Sequence, residues 1–427
     1  MGQTIKIQTM KTPLLLLNII LFVSLQSIAQ VKHALFIGNS YTGVNNLPQM
    51  VADVAQSAGD TLFFDSNTPG GYTFQGHTTN SISQNKIMLG NYNFVVLQEQ
   101  SQLPSFSNTQ VQQQVFPYAR MLDSVINVYN PCGETMFYMT WGRKNGDAGN
   151  CPVWPPVCTY AGMDSLLQLR YNMMADSNNA VVSAVGAVWN YIRQFYPSIE
   201  LYQSDESHPS LAGSYAAACC FYTSMYRKSP LLITNDYTLP TADAANIRAA
   251  VKTVVYDSLL KWNIGTYDPI ADFSSNNNAL TVNFSNLSSN ASTIFWFFGD
   301  GNFSNTASPT HTYASAGTYL VTLIASHCNA SHTISKSITV TTTAINETQL
   351  QTTLKVYPNP AGPTVTLEAN HHDIGSSFAL CDSRGKEMIS GTINAIKTVI
   401  NTQYLPNGIY ILKLNESVKQ KISIINN

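Results

Sequence analysis

Ala34-Leu35-Phe36-Ile37-Gly38-Asn39-Ser40-Tyr41 is where the architecture of this chain first shows. Four consecutive apolar residues stopped by a glycine read as a strand buried on both faces. A strand with one wet face would alternate apolar and polar side chains instead. Gly38-Asn39-Ser40 then sets a serine on a tight turn at the strand's carboxyl end, with its hydroxyl facing outward. The pattern repeats downstream. Leu47 to Ala58 has helical spacing, and Thr61-Leu62-Phe63-Phe64 and Phe94-Val95-Val96-Leu97 are further buried strands. Val111 to Val128 reads as one long helix, Met136 to Met139 as a fourth strand, Met163 to Met174 as a helix and Ala180 to Val185 as a fifth strand. Helical patterns follow at Leu211 to Tyr226 and Ala242 to Leu260. Strands alternating with helices predict a parallel sheet covered on both faces, with ligands at the carboxyl ends of the strands.

The rest of the chain bounds the function. Its 427 residues predict about three domains at roughly 150 residues each. Lys plus Arg is 22 and Asp plus Glu is 24, so no long-range positive field exists to gather phosphates, and nucleic acid is excluded as a partner. Only 11% of residues are charged, against about 25% in ordinary domains. Ser, Thr, Asn and Gln take their place, a surface suited to an extracellular protein that meets neutral polymers. Lys6 and Lys11 precede an apolar run from Leu14 to Leu25, and Ser27-Ile28-Ala29 supplies small residues for cleavage after Ala29. Residues 1–29 are therefore expected to be a signal peptide. The run is shorter than the ~20 residues a spanning helix needs, and no other segment reads as transmembrane. Export permits disulfides among the seven cysteines. Cys151 and Cys158 flank a proline-rich loop and are the expected pair, whereas Cys219-Cys220 read as packing in an alanine-rich helix. No Cys or His spacing suits zinc.

The second chemical feature is Asp205-Glu206-Ser207-His208-Pro209, just before a helix. A carboxylate three residues before a histidine can take the Nδ1 proton and leave Nε2 free to accept one from a serine. It also reads as a plain helix start, with Ser207 or Ser210 as the cap. Taken together, Phe36-Ile37-Gly38-Asn39-Ser40 and Asp205-Glu206-Ser207-His208-Pro209 resemble the SGNH (GDSL-like) hydrolase family over the first 235 or so residues. The resemblance implies a flavodoxin-like three-layer α/β/α sandwich. It also implies Ser40 as nucleophile, His208 as general base and Asp205 as its orienting carboxylate. The family's oxyanion hole uses the nucleophile's own amide, a glycine amide after the second strand and an asparagine after the third. Gly71 of Pro69-Gly70-Gly71-Tyr72 matches the glycine, or Gly70-Gly71 is merely a turn. The asparagine is absent. Gln98 stands near its place with the same amide on a longer stem, and is the expected third donor. His77 and Trp141 are candidate substrate contacts, each with core packing or a simple structural role as the alternative.

The pattern changes after Trp262 to period-two alternation with Asn, Ser and Gly turns, so two small all-β sandwich domains are expected. Trp296-Phe297-Phe298-Gly299-Asp300-Gly301, His311-Thr312-Tyr313 and Gly317-Thr318-Tyr319-Leu320-Val321 resemble a PKD domain, expected over residues 268–343. In it, Gly299-Asp300-Gly301 makes a hairpin turn, and Trp296 and Tyr319 fill the core. Tyr357-Pro358-Asn359-Pro360 and Leu405-Pro406-Asn407-Gly408-Ile409-Tyr410 resemble the C-terminal sorting domain of type IX secretion substrates, expected over residues 350–427. That implies the secretion machinery as a partner and a secreted or cell-surface location.

Residues 30–265 are thus expected to be a serine esterase that uses no metal or organic cofactor. The expected substrate is an acylated, above all acetylated, polysaccharide or a small ester. A non-catalytic carbohydrate- or surface-binding protein and a lipase or thioesterase-like hydrolase are the alternatives.

Overall fold

The computed structural model describes residues 29–328, 330–342, 354–415 and 417–426; the expected signal segment up to Ile28 lies outside them. Five parallel strands, β1 (Val31–Ile37), β2 (Thr61–Asn67), β3 (Phe94–Leu97), β4 (Glu134–Tyr138) and β5 (Val181–Ser183), form one sheet in the order 2-1-3-4-5. That is the flavodoxin-like order, whose reversal between β1 and β3 opens a crevice at the strands' carboxyl ends. The apolar strand residues make this possible. Ala34 to Ile37 and Val95 to Leu97 have no exposed surface, as a sheet covered on both faces demands.

The helices are α1 (Ser40–Gly43), α2 (Leu47–Ser57), α3 (Phe74–Thr79), α4 (Ser81–Met88), α5 (Asn108–Gln114), α6 (Phe116–Tyr129), α7 (Tyr160–Ser177), α8 (Val185–Phe195), α9 (Leu211–Tyr226) and α10 (Thr241–Val254). They pack in two groups, α2 with α8, α9 and α10, and α3 to α7 with one another. Right-handed crossovers require this division. The β1–β2 connection runs one way along the sheet, and those to β3, β4 and β5 run the other. α9 is buried from Ala212 to Tyr226, so Cys219 and Cys220 are inert packing, and burial pushes the Cys219 thiol up to about 12.

Several elements differ from expectation. The single helix over Val111 to Val128 is two, broken at Val115 (φ −122°). Pro117 lies in the first turn of α6, where its missing N–H costs nothing; inside a continuous helix it would remove a bond and clash. The fifth strand stops at Ser183. Ala184 leaves the extended region, and Val185, Val188, Trp189 and Ile192 form the buried face of an unanticipated helix, α8. The short helices α3 and α4 carry few apolar residues, but Thr73 and Asn80 cap them with side-chain oxygens.

Beyond Trp262, β6 (Phe273–Asn278), β7 (Thr281–Asn286), β8 (Thr293–Phe297), β9 (Phe303–Ser304), β10 (Thr310–Thr312), β11 (Gly317–His327) and β12 (Ala330–Val340) form sheets of three and four strands. Trp296 is fully buried against Phe273 and Phe284, and its indole donates to the Thr306 carbonyl. Tyr319 is only half-buried: it is in phase with the buried Val321 and Leu323 but stands near the strand's end. Gly299 has φ +82°, and a Cβ there would meet the Leu320 carbonyl at 2.7 Å. Residues 355–424 hold a second all-β unit, with sheets of three and four antiparallel strands around Leu367, Leu380, Leu412 and Ile422.

The expected Cys151–Cys158 disulfide is present. A second, Cys132–Cys328, joins the turn before β4 to the turn between β11 and β12.

Candidate active site

Two turns meet at the carboxyl edge of the sheet. The first follows β1. Asn39 caps α1, its side-chain oxygen accepting from the Tyr41 amide at 3.1 Å, and this leaves Ser40 as the first helical residue. The helix's opening amides lack intrahelical acceptors, so the Ser40 N–H is free to donate outward. Gly38 is required by crowding: a Cβ would lie 2.6 Å from Thr42 Oγ1 and 2.7 Å from Gln98 Oε1.

The second turn precedes α9. Asp205 Oδ1 accepts from the Ser207 and His208 amides at 3.1 and 3.0 Å, which folds the turn back on itself. Glu206, at φ +60°, makes the sharp bend. Ser210, not Ser207, caps α9, accepting from the Gly213 amide.

The turns bring together Ser40, His208 and Asp205. His208 Nε2 is 2.9 Å from Ser40 Oγ, and His208 Nδ1 is 2.5 Å from Asp205 Oδ2. The carboxylate can only accept, so Nδ1 carries the proton and Nε2 faces the serine as an acceptor. Burial pushes the Asp205 carboxyl up. The His208 ring and the two amides outweigh that and hold it below its ordinary value. This arrangement can deprotonate Ser40 as it attacks an electrophilic carbon.

The remaining expected residues take other positions. Gly71 (φ +68°) is exposed on its turn after β2, and a Cβ there would meet nothing within 4 Å. Gln98 is fully buried, and its amide is spent. Oε1 accepts from the Asn39 amide and from Thr42 Oγ1, both at 2.9 Å, and Nε2 donates to the Glu99 carbonyl. The Asn39 N–H can only donate, which fixes the orientation of the amide and turns its NH2 away from Ser40. Gln98 therefore does not offer the outward donor expected of it.

His77 and Trp141 do not line an opening, because both have no exposed surface. His77 Nε2 donates to the Gly38 carbonyl at 2.9 Å, and Nδ1 accepts from Ser83 Oγ at 2.7 Å. Burial lowers its pKa to about 4, so it is a neutral strut beneath the Gly38–Ser40 turn. Trp141 stacks between Tyr41 and Trp189, and its indole donates to the Ser207 carbonyl at 3.1 Å. Tyr41, Ser207 and Glu99 were not anticipated. Glu99 showed one signal in the sequence, an acid two positions beyond an apolar strand.

Comparison with known proteins matches two stretches of the chain to family profiles. The PKD domain family profile matches residues 267–342, and that of the secretion system C-terminal sorting domain matches residues 355–426. The chain carries both domains. The sorting domain marks it for export by type IX secretion to the cell surface or the extracellular space. Among the described residues no helix is long and apolar enough to cross a membrane. No curated protein matches the chain. Among solved structures, it is similar to a DUF4886 family protein from Bacteroides uniformis, at 14% identity over 54% of this chain and 95% of that one (TM-score 0.46). A Slackia heliotrinireducens protein assigned to the SGNH hydrolases matches at 21% identity over 46% and 99% (TM-score 0.38). The PKD1 domain of the Vibrio cholerae metalloprotease PrtV matches at 34% identity over 17% and 98% (TM-score 0.17). The first domain's own topology, the parallel order 2-1-3-4-5, is the flavodoxin-like one.

Proposed function

We propose that residues 30–265 are a serine ester hydrolase of SGNH type, exported with the PKD domain at residues 268–343. The observation that carries this is the line of contacts from Asp205 through His208 to Ser40. Ser40 Oγ attacks the ester carbonyl while His208 Nε2 takes its proton. The alcohol leaves with that proton, and an acyl-Ser40 ester remains. Water, deprotonated by His208, attacks the acyl carbon and releases the acid and free Ser40. The Ser40 amide, aided by the Gly71 amide, stabilises the oxyanion. An acylated polysaccharide suits an exported, weakly charged chain, with acetyl the acyl group of choice.

The test compares 4-nitrophenyl acetate hydrolysis by the mature chain and by Ser40→Ala. Hydrolysis that falls by about 10³-fold or more supports the serine mechanism. A folded wild type that neither hydrolyses the ester nor is labelled on Ser40 by a serine-directed phosphonate overturns it.

A further inference from the structure

Oxyanion donors are useful only if they are held where the charge develops, and a misplacement of about 1 Å costs about 10² in rate. The two glycines of the turn carrying Gly71 lack packing of their own. Gly70 and Gly71 are exposed, and a Cβ at either would meet no neighbouring atom within 4 Å. Beyond the glycines the Tyr72 ring rests edge-on against His77 at 4.8 Å and Phe74 is buried in the core, and hydrogen bonds tie the segment down at both ends. Asn39 Nδ2 donates to the Tyr72 carbonyl at 2.9 Å, tying the turn to the nucleophile segment. The Phe74 amide, at the turn's far end, donates to the Glu99 carboxylate at 3.0 and 3.2 Å.

Glu99 is an expensive residue to keep there. Its side chain is fully buried, and burial drives its carboxyl up to about 8 against the pull of its backbone donors. Those donors are the amides of Phe74 and of Gln100, the latter at 2.6 Å. A buried acid that served only to fill space would be replaced at lower cost by an apolar side chain. Its neighbour Gln98 grips the other turn. Its side-chain oxygen holds the Asn39 amide and the Thr42 hydroxyl on either side of Ser40, and its own backbone amide donates to the Ile37 carbonyl. The two residues are consecutive and stand just beyond the end of β3 at Leu97. One dipeptide therefore reaches both turns.

We propose that Gln98 and Glu99 are the positioning residues of the hydrolase centre, Gln98 setting the nucleophile turn and Glu99 the glycine turn. This rests on the hydrolase reading for its kinetic consequence alone. The hold on the two turns is a property of the chain with or without a substrate.

The experiment uses the full mature chain and two readouts, ester hydrolysis and backbone hydrogen exchange. Glu99→Gln keeps an oxygen acceptor for the Phe74 and Gln100 amides and is expected to keep kcat within about threefold. Glu99→Leu removes it. Exchange is expected to quicken in residues 70–76 but not in α9, and kcat to fall about 10²-fold with KM little changed. Gln98→Asn separates positioning from donation. A shorter stem cannot span to Asn39 and Thr42, so positioning predicts faster exchange in residues 39–43 and a kcat at least tenfold lower. A donor role predicts that asparagine keeps or restores activity.

Unchanged exchange in residues 70–76 of a folded Glu99→Leu, or full activity in Gln98→Asn, overturns the proposal. If Glu99→Leu does not fold, Gln98→Asn decides. A wild type without ester hydrolysis, but with turns that loosen as described, overturns the hydrolase reading and leaves the positioning role intact.

Discussion

Tyr41 and Ser207 stand 166 positions apart in the chain, and their hydroxyl oxygens are 2.5 Å apart in a buried contact. The pair joins the helix that begins at Ser40 to the turn that ends at His208. Each partner is supported separately. The Tyr41 ring stacks on Trp141 at 5.0 Å and meets the His208 ring edge-on at 5.2 Å, while the Trp141 indole holds the Ser207 carbonyl. The Ser40–His208 distance is thus set by aromatic packing beneath it as well as by the two turns.

Tyr41→Phe removes the hydroxyl and keeps the ring. The lost bond is worth about 1 kcal/mol, with a comparable cost for leaving the buried Ser207 hydroxyl without its partner. A kcat about tenfold lower at unchanged KM is expected on a small acetyl ester. Steady-state kinetics check this; an unchanged kcat would show that packing alone sets the distance.

Asp205→Asn tests the tautomer. An asparagine amide can present its NH2 to His208 Nδ1, which would move the ring proton to Nε2 and block acceptance from Ser40. Activity is expected to fall by about 10²–10⁴-fold, as when the carboxylate of a comparable triad is replaced. Secondary structure should be unchanged, because Asn can still accept from the Ser207 and His208 amides. Retention of more than a tenth of the activity would remove Asp205 from the mechanism.

Gly38→Ala tests crowding at the nucleophile turn. The added methyl would stand 2.7 Å from Gln98 Oε1 and 2.6 Å from Thr42 Oγ1, far inside contact distance. Overpacking of this kind costs about 1–3 kcal/mol and would push Gln98 off the Asn39 amide. Lower thermal stability together with a lower kcat is expected, measured by a melting curve and by ester hydrolysis. Wild-type values of both would mean that the turn relaxes freely.

The five strands are legible because strands buried on both faces leave continuous apolar runs, as Ala34 to Ile37 does. The turns at Ser40 and Asp205–His208 are legible because each is a local chemical pattern. Gln98, His77 and Trp141 are not. Their partners, Asn39, Gly38 and Ser207, lie 39 to 66 residues away, and only the folded sheet decides which polar atoms meet. Helix α8 hid behind an apolar run that suits a strand and a buried helix equally. Cys132 and Cys328 are separated by 196 positions, and sequence spacing carries no trace of such a pair.

The Cys132–Cys328 bridge closes the longest covalent loop among the described residues, so its removal should cost stability rather than chemistry. Cross-linking of long loops contributes about 2–5 kcal/mol, mainly by restricting the unfolded chain. Cys132→Ser together with Cys328→Ser is expected to lower the melting temperature while leaving kcat on a small ester within about twofold, since neither cysteine touches the Ser40 site. The same double variant should be cut faster by protease between residues 263 and 270. Equal melting temperatures would show that noncovalent packing does this work alone.

His77 makes stability depend on pH. Its pKa falls from 6.5 in the ordinary state to about 4 in the fold, because burial opposes the charged ring more than the Gly38 carbonyl favours it. Between those values the unfolded chain holds more protons than the folded one, so stability rises with pH. The contribution is fully present above about pH 6.5 and is lost progressively as pH falls toward 4. At 1.36 kcal/mol per pKa step it amounts to about 3 kcal/mol at most. His77→Gln removes the titration and keeps a donor for Gly38 and an acceptor for Ser83. Urea unfolding at pH 7 and pH 4.5 is the measurement. Wild type should lose more stability between the two than His77→Gln by about 2–3 kcal/mol, because carboxylates common to both proteins contribute equally and cancel. Parallel losses would mean that His77 is open to water, and the neutral strut beneath Gly38 would then have to be abandoned.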